Sequence, residues 1–212
     1  MYIEKVEVTI APGFTENCYI LSDAPDATHV IVVDPGAQAK KLLAAVGDRT
    51  VDSIVLTHRH YDHVGALAKL VAKTGAEVIA HELDAQAVAD PDIPPPRLFT
   101  HTTFKSAAVT KTVTEGDLIA VGSEQLLVLH TPGHTVGSMC LYDEKGHNLI
   151  AGDTLFREAV GRTDLASGSA SQQQKTLKKL AQLPDETKVY PGHEEDTTIA
   201  HEKRYGHLRY SV

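Results

Sequence analysis

One nine-residue stretch, at positions 57–65, constrains what this chain can fold into more than any other part of the sequence. It reads Thr-His-Arg-His-Tyr-Asp-His-Val-Gly, and within six residues it places four side chains that can bind a metal: His58, His60, Asp62 and His63. Imidazole nitrogens combined with carboxylate oxygens suit a borderline divalent ion such as zinc, and also iron or manganese. The stretch therefore predicts a metal site.

The spacing of these residues indicates where the site lies in the fold. His58 and His60 are two residues apart and follow the apolar run 53–56, which suits an extended segment leaving a strand. Asp62 and His63 come next, so we expect them to project from the turn beyond that strand. Active sites of layered α/β proteins commonly lie at such strand ends.

Three later strand ends supply further ligands. His134 stands at the tip of a Thr-Pro-Gly-His-Thr turn, Asp153 follows Gly152 at the end of an apolar run, and His193 ends a Tyr-Pro-Gly-His segment. With the first stretch, these residues make five histidines and two aspartates. Such a set suffices for two metal ions with three or four protein ligands each, although the ligands alone do not separate one iron ion from two zinc ions.

Hydrophobic periodicity predicts a mixture of strands and helices. The predicted strands are 2–10, 18–22, 30–33, 53–56, 77–80, 109–113, 118–121, 125–130, 138–142, 148–150 and 188–190, and the predicted helices are 38–46, 64–73, 82–89, 171–182 and 197–204. The irregular stretch 91–106 contains three consecutive prolines and is either a functional lid or a mobile loop. We see no linker, so we expect one domain over 1–212, with two mixed sheets packed together and helices outside.

Composition narrows the classes of function. A net charge of −8 without a cluster of lysine or arginine argues against a nucleic-acid partner. No apolar run approaches the ~18 residues of a membrane span, and the N-terminus lacks an apolar signal-peptide segment, so we expect a cytoplasmic protein. Cys18 and Cys140 stand in apolar surroundings and predict buried strand residues. His81 and His101 are isolated histidines, which we leave out of the site.

Taken together, these motifs resemble those of the metallo-β-lactamase-fold superfamily. Within it the chain most resembles the glyoxalase II-like hydrolases (hydroxyacylglutathione hydrolases), and is closest to their short, single-domain bacterial members, whose Gly-Arg-Thr/Ser-Asp segment is matched at 161–164. The resemblance runs from Asn17 to Ile199. It implies a four-layer αββα sandwich of two mixed β-sheets, with the metal site at the edge between the sheets.

The resemblance also implies a role for each ligand. One ion would be held by His58, His60 and His134, and a second by Asp62, His63 and His193, with Asp153 bridging the two. The implied cofactors are two divalent ions, zinc above all, with iron or manganese as alternatives. The best-known β-lactamases of the superfamily lack an aspartate bridge at the position of Asp153, which argues against antibiotic hydrolysis.

The implied reaction is hydrolysis of a thioester, such as S-lactoylglutathione or a related acyl-thiol, by a metal-bridging hydroxide. Water bound to such ions is acidified to a pKa near ~7 and becomes a good nucleophile. Asp62 and Asp153 are the predicted catalytic residues, and Asp62 would also orient the hydroxide. Thr57, Thr131 and Thr135 are candidates to position the imidazoles, while Phe156, Arg157 and Arg162 are candidates to line the substrate pocket.

Two features depart from the pattern of the larger glyoxalase II enzymes. The sequence ends nineteen residues after His193, so we expect no C-terminal helical domain of the kind that contacts glutathione, and the thiol is left open. Three carboxylates at 194–196 follow His193. They either disfavour a polyanionic substrate or form the solvated start of the last helix, where acidic residues are favourable.

Other functions on the same fold remain open. Persulfide dioxygenases share these motifs but use one iron ion, which here would be held by His58, His134 and Asp153; the segment 153–156 reads more like the hydrolase branch. A lactonase, a nucleic-acid phosphoesterase and a non-catalytic metal-binding module are further alternatives. The physiological thiol, the native metal and the oligomeric state do not follow from the sequence.

Overall fold

The computed structural model describes residues 1–89 and 107–211. Fourteen strands cover Tyr2–Ala11 (β1), Phe14–Ser22 (β2), His29–Val33 (β3), Thr50–Leu56 (β4), Glu77–His81 (β5), Lys111–Val113 (β6), Leu118–Val121 (β7), Glu124–His130 (β8), Met139–Asp143 (β9), Asn148–Gly152 (β10), Leu155–Phe156 (β11), Ala159–Val160 (β12), Lys188–Pro191 (β13) and Thr197–Thr198 (β14) in the described part of the chain. The helices there are Ala39–Val46 (α1), Tyr61–Val64 (α2), Leu67–Thr74 (α3), Glu82–Ala89 (α4), Ala170–Leu180 (α5), Ile199–Arg204 (α6) and a 3-10 helix at His207–Tyr210.

Twelve of these strands form two six-stranded sheets. The first has the order β1-β2-β3-β4-β5-β6, and the second has the order β14-β13-β10-β9-β8-β7. Both sheets are mixed. In the first, β1 to β3 pair antiparallel and β3 to β6 pair in parallel. In the second, β10 pairs with β13 in parallel and with β9 antiparallel. Strands β11 and β12 form a separate short hairpin.

Three hydrophobic clusters show how the layers stack. The alternation of side chains along a strand sends Tyr19 and Leu21 of β2 into the space between the sheets, where they meet Leu141 of β9. The outer face of the first sheet packs against α1 and α3, and the outer face of the second packs against α5 and α6. Helix, sheet, sheet and helix therefore form four layers, which confirms the predicted αββα sandwich.

The structure corrects two predicted helices. The helix expected at 64–73 is interrupted at 65–66, where the backbone nitrogen of Ala66 donates to the carbonyl oxygen of Pro35 at 2.9 Å, outside the helix. The helix expected from 197 begins at Ile199 instead, with Thr198 as its cap and β14 before it. The acidic residues 194–196 therefore lie ahead of a strand and outside the first turn of a helix.

Among the remaining elements, strand β2 begins four residues and β4 three residues before the predicted start, and the ends of the other predicted elements differ by no more than two residues. The hairpin of β11 and β12 is too short for periodicity to predict. The predicted loop at 91–106 and His101 lie outside the described residues. In the part of the chain that the structure describes, no helix is long and apolar enough to cross a membrane.

Candidate metal centre

The first stretch of ligands lies where a strand of the first sheet gives way to a short helix. Strand β4 ends at Leu56, and His58 follows it with a side chain that is only 1% exposed. His60 keeps an extended backbone immediately before α2, which carries Asp62 and His63. The motif is therefore divided between a strand end, as its spacing predicts, and a short helix where we expected a turn.

The other predicted ligands come from the second sheet. His134 follows β8, Asp153 follows β10, and His193 follows β13. Two groups form, in each of which the possible ligand atoms lie within 4.8 Å of one another: one contains His58, His60 and His134, and the other contains Asp62, His63 and His193. The seven residues predicted from sequence are thus brought to one edge of the sandwich.

Asp153 lies between the two groups. Its Oδ1 is 3.2 Å from Nε2 of His63, and its Oδ2 is 3.5 Å from Nε2 of His134 and 3.5 Å from Nε2 of His193. Oδ2 is also 4.0 Å from Nε2 of His58. One carboxylate therefore reaches histidines of both groups, which is the placement that a bridging ligand requires.

Hydrogen bonds behind the histidines determine which ring nitrogen faces the centre. Nδ1 of His134 lies 2.7 Å from the carbonyl oxygen of Arg162, and Nδ1 of His193 lies 2.5 Å from that of Thr15. A carbonyl only accepts, so each Nδ1 carries the proton and donates. The lone pair of each Nε2 is then left to face the centre, as a metal ligand requires.

His58 and His63 are held in the same way. Nδ1 of His63 donates to Oδ2 of Asp34 at 3.0 Å, while Nδ1 of His58 is 3.1 Å from Oγ1 of Thr57. Because that hydroxyl donates to Asp34, it accepts from His58. Nδ1 of His60 lies 2.8 Å from Nε2 of His134 and donates to it, because the His134 proton is on Nδ1. If His60 gave up that proton, both nitrogens would offer a lone pair to an ion at this place.

Several buried polar atoms at the centre lack a hydrogen-bond partner. Among the described residues these include Nε2 of His58, Nε2 of His63 and Oδ1 of Asp153. Leaving such atoms unsatisfied costs about 1–3 kcal/mol each. Convergent lone pairs and an orphaned carboxylate oxygen are what a divalent cation would satisfy, so the donor set fits the ions that the fold implies.

The charges of the centre also favour a cation. Burial would lower the pKa of His63, but Asp153 and Asp34 outweigh it and raise that pKa well above its ordinary value. Burial would raise the pKa of Asp153, but His63 and His193 hold it well below its ordinary value. Burial and the neighbouring histidines lower the pKa of His58 and bring that of His60 to about 4, which keeps these two imidazoles neutral for metal binding.

Asp34, directly after β3, is a further buried acid that the sequence analysis does not single out. In the structure it is 2% exposed and accepts hydrogen bonds from the backbone nitrogen and hydroxyl of Thr57 and from His63. Asp34, His58 and His63 also lie within 4.8 Å of one another, but the oxygens of Asp34 are already occupied behind the ligands. The signal that could have found it is the one that found Asp153: an aspartate directly after a buried strand.

Two further buried acids were also missed. Asp84 accepts hydrogen bonds from Oγ1 of Thr135 at 2.6 Å and from the backbone nitrogen of Gly137 at 3.1 Å, so it holds the loop that carries His134. Glu16 is fully buried, and Oε1 lies 4.0 Å from Nδ1 of His63. Burial raises the pKa of Glu16 well above its ordinary value.

The threonines expected to position the imidazoles divide into two kinds. Thr57 contacts His58 directly. Thr131 instead lies 3.0 Å from the hydroxyl of Thr154, and Thr135 bonds to Asp84. The last two support the loops around the centre without touching an imidazole.

A cavity of about 1090 Å³ opens onto the centre. Phe156 and Arg162 line it, as expected, together with residues of β2, α4 and the loops after β4, β12 and β13. Arg157 is absent from the described lining and lies 3.7 Å from Glu195. The centre therefore has room for a small molecule beside it.

Comparison with known proteins decides the family. The model of the metallo-beta-lactamase superfamily matches residues 11–193. The chain belongs to this superfamily. The resemblance seen in its motifs is thereby confirmed, and the superfamily fold with two histidine groups indicates a metal-dependent hydrolase that binds divalent metal.

Individual relatives in the superfamily give more detail. The chain is 40% identical over 195 residues to an uncharacterised protein of Aquifex aeolicus, covering 89% of each chain. It is 36% identical over 183 residues to a hydroxyacylglutathione hydrolase of Idiomarina loihiensis, covering 86% of this chain and 63% of the relative. The chain thus spans less than two thirds of that hydrolase.

Solved structures of the superfamily are similar over most of their length. A B3 metallo-beta-lactamase, BLEG-1, superposes with a TM-score of 0.87 at 28% identity, covering 100% of both chains. TTHA1623 in a di-iron-bound form gives a TM-score of 0.82 at 35% identity, covering 95% of this chain and 98% of that chain. ETHE1 from Myxococcus xanthus gives a TM-score of 0.76 at 30% identity, covering 97% of this chain and 83% of that chain.

Proposed function

We propose that this protein is a hydrolase that cleaves small-molecule thioesters at a centre of two divalent metal ions. The observation that carries the proposal is the position of Asp153, whose carboxylate lies 3.2–3.5 Å from histidines of both ligand groups. In this proposal one ion is held by His58, His60 and His134 and the other by Asp62, His63 and His193, with Asp153 shared.

When bound, such ions would acidify a water molecule and polarise a carbonyl oxygen. Zinc is the ion we propose, because imidazole and carboxylate ligands suit it; the same ligands also suit iron and manganese. The similarity to a protein crystallised in a di-iron-bound form supports iron as the alternative. Metal analysis is therefore part of the test.

The protein's own side chains support water as the nucleophile. The described residues that line the cavity include no serine or cysteine, and Cys18 and Cys140 are both buried. Asp62 lines the cavity, with Oδ2 at 3.5 Å from Nε2 of His193. In the proposed reaction Asp62 accepts a hydrogen bond from the attacking water and so orients it towards the carbonyl carbon.

A thioester is favoured over other substrates for two reasons. Several relatives at 33–37% identity are hydroxyacylglutathione hydrolases. A thiolate is also a good leaving group, so the reaction needs little help from a general acid, and the titratable groups at the centre serve instead as ligands. A small thioester, with no nucleic acid or membrane as partner, is part of this proposal.

The test combines metal content with a substrate panel. Purified protein is analysed for zinc, iron and manganese per chain, and thiol release is followed with acyl-thioesters that include S-lactoylglutathione. Asp62→Asn should lower the rate at least ~100-fold, because it removes both a ligand and the acceptor for water. Asp52→Asn, on an exposed aspartate that pairs with His29, is the matched control and should leave the rate unchanged.

Protein that holds two ions yet releases no thiol from any thioester would contradict the proposal. A lactone, a phosphodiester and a β-lactam belong in the same panel. The β-lactam matters because a B3 metallo-beta-lactamase is among the similar structures, whereas the aspartate at 153 argues against that activity.

A dioxygenase with a single iron ion is the second candidate. His58, His134 and Asp153 together offer two histidines and one carboxylate, the ligand pattern of many mononuclear iron enzymes that use oxygen. The similarity to ETHE1 supports this reading. The additional group of Asp62, His63 and His193 favours the two-ion hydrolase. Oxygen consumption with a persulfide, together with one iron per chain, would favour the dioxygenase.

A further inference from the structure

The cavity wall carries charged side chains of both signs, which lie next to different proposed ligands. Apart from those ligands, the charged side chains in its described lining are Glu194, Arg59 and Arg162. Glu194 follows His193, whereas Arg59 lies between His58 and His60 in the chain and the carbonyl of Arg162 accepts from His134. We call Phe14, Phe156 and Glu194 the His193 side of the cavity.

Two aromatic rings make the His193 side apolar. The ring of Phe14 stacks on the ring of His193, with centroids 5.0 Å apart and planes at 19°. The ring of Phe156 lies on the same histidine at 6.1 Å. Phe156 belongs to the hairpin of β11 and β12, whose turn is held by the fully buried Glu202 through the backbone nitrogen of Glu158 at 3.1 Å. The apolar surface is therefore fixed in place.

Glu194 adds a negative charge at the rim of this surface. Its backbone has a φ of 65°, and its carbonyl oxygen accepts from Nδ2 of Asn17 at 3.0 Å, so its position is set by the fold. The next two acids are paired, Glu195 with Arg157 and Asp196 with Lys5. Glu194 is exposed and lines the cavity, and among the described residues it forms no ion pair, so no bound cation offsets its charge.

The two arginines of the cavity wall already have partners. Nε and Nη2 of Arg162 donate to the two carboxylate oxygens of Asp164 at 2.7 and 2.8 Å. Nη2 of Arg59 donates to the carbonyl oxygen of Ala166 at 3.0 Å and to the hydroxyl of Ser167 at 2.8 Å. Among the described residues, neither arginine forms an ion pair with Glu194.

We infer that the His193 side is a specificity-determining subsite, which accepts an uncharged apolar end of the thioester and rejects an end that carries a carboxylate. The inference rests on the proposed thioesterase function and adds the substrate class. An apolar group is stabilised when it leaves water and packs against the two phenylalanines. A carboxylate placed there would be repelled by Glu194 and would lose part of its hydration.

Matched substrate pairs test the inference at each end of the thioester. The first pair shares N-acetylcysteamine as the thiol: the acyl chain of the butyryl thioester ends in a methyl group, and that of the succinyl thioester ends in a carboxylate. With acetyl as the common acyl group, N-acetylcysteamine and 3-mercaptopropionate vary the thiol end. We expect kcat/KM to favour the uncharged member about tenfold or more in at least one pair.

Variants connect this preference to the subsite. Glu194→Gln should reduce the ratio of kcat/KM between uncharged and carboxylate members severalfold, by improving the carboxylate member. Glu195→Gln, the same change one residue along, should leave the ratio unchanged, because Glu195 is paired with Arg157 at 3.7 Å. Phe156→Ala should lower kcat/KM for the uncharged member more than for the carboxylate member.

The possible outcomes separate the two claims. Thiol release with equal kcat/KM within both pairs would overturn the subsite and leave the proposed function standing. A ratio that Glu194→Gln does not change would also overturn the subsite. Absence of thiol release from every thioester in the metal-loaded protein would overturn the proposed function and the subsite with it.

Discussion

Nδ1 of His63 lies 3.0 Å from Oδ2 of Asp34, and both side chains are enclosed by the fold. The same carboxylate accepts hydrogen bonds from the backbone nitrogen of Thr57 at 2.7 Å and from its hydroxyl at 2.5 Å. Asp34 thus joins the end of β4 to the start of α2 and directs the imidazole of His63 towards Asp153. A residue that binds no ion in our proposal determines how one of the ligands is presented.

Asp34→Asn should weaken metal binding by about 10–100-fold, the usual cost of removing the hydrogen-bond partner behind a histidine ligand. An amide has one acceptor oxygen where the carboxylate has two, so it cannot accept from both the backbone nitrogen of Thr57 and Nδ1 of His63, which now use different oxygens. Asparagine tolerates the φ of 52° at this position, so the backbone is preserved. Competition with a chelator measures the affinity.

Asp52→Asn is the matched control for Asp34→Asn, because Asp52 also contacts a histidine, His29 at 2.7 Å, but both lie exposed and away from the cavity. Equal metal affinity in Asp34→Asn and wild type would show that Asp34 does not orient the ligand.

Asn17 holds the loop that presents His193. Its Nδ2 donates to the carbonyl oxygens of Pro191 at 3.1 Å and Glu194 at 3.0 Å. Its backbone nitrogen donates to the carbonyl oxygen of Gly192 at 2.7 Å. Asn17→Ala should leave two carbonyls without their partner and lower the free energy of unfolding by about 1–3 kcal/mol. Metal content should fall as well, because His193 loses its support.

Urea unfolding and metal analysis check the prediction for Asn17. Asn148→Ala is the control, since it also removes a side-chain amide that donates a hydrogen bond, here to Asp143 at 2.8 Å, at a place remote from the centre. Full metal content in Asn17→Ala would argue that the loop keeps its shape without this side chain.

His81 should make the free energy of unfolding depend on pH. Burial, with His130 stacked at 4.1 Å, lowers the pKa of His81 from 6.5 to about 4. Between these pH values the unfolded chain binds a proton that the folded chain does not, so the free energy of unfolding falls as the pH drops from about 6.5 to 4. The contribution is on the order of 2 kcal/mol, and it is fully present above pH 6.5.

His81→Asn removes this titration and can keep an acceptor for the backbone nitrogen of Leu83, which now donates to Nδ1 of His81 at 3.3 Å. Its loss of stability between pH 7 and pH 4.5, measured by urea unfolding, should be smaller than that of wild type. The exposed His207 provides the control, as His207→Asn should behave like wild type. Identical pH profiles for His81→Asn and wild type would contradict the assignment.

The strand ends could be predicted because each repeats one simple pattern. An apolar run followed by glycine and a histidine or aspartate marks Asp153 and His193, and the parallel pairing of β10 with β13 brings these two ends together. The continuous apolar runs within β2, β3 and β4 could also be predicted as buried strands from the sequence. The order of the strands within each sheet did not follow from periodicity, which carries no information about pairing partners; the four-layer form came from the resemblance.

Positions that depend on tertiary contacts could not be predicted. Asp84 acts from α4 on the loop of His134, 51 residues along the chain, through Thr135. The break between α2 and α3 coincides with the hydrogen bond from the backbone nitrogen of Ala66 to the carbonyl oxygen of Pro35. Neither contact leaves a local pattern. That 1–212 forms one domain, and that it works in the cytoplasm on a small molecule, are still predictions.

The number of metal ions per chain in Asp153→Ala tests the central claim most directly, with thiol release measured on the same preparation. Among the described residues, Asp153 has the only carboxylate with oxygens within 3.5 Å of both Nε2 of His63 and Nε2 of His134. We predict two ions per chain in wild type, a loss of at least one in the variant, and a fall in thiol release of at least ~100-fold. A folded variant that keeps two ions and thioesterase activity near that of wild type would contradict the two-ion centre.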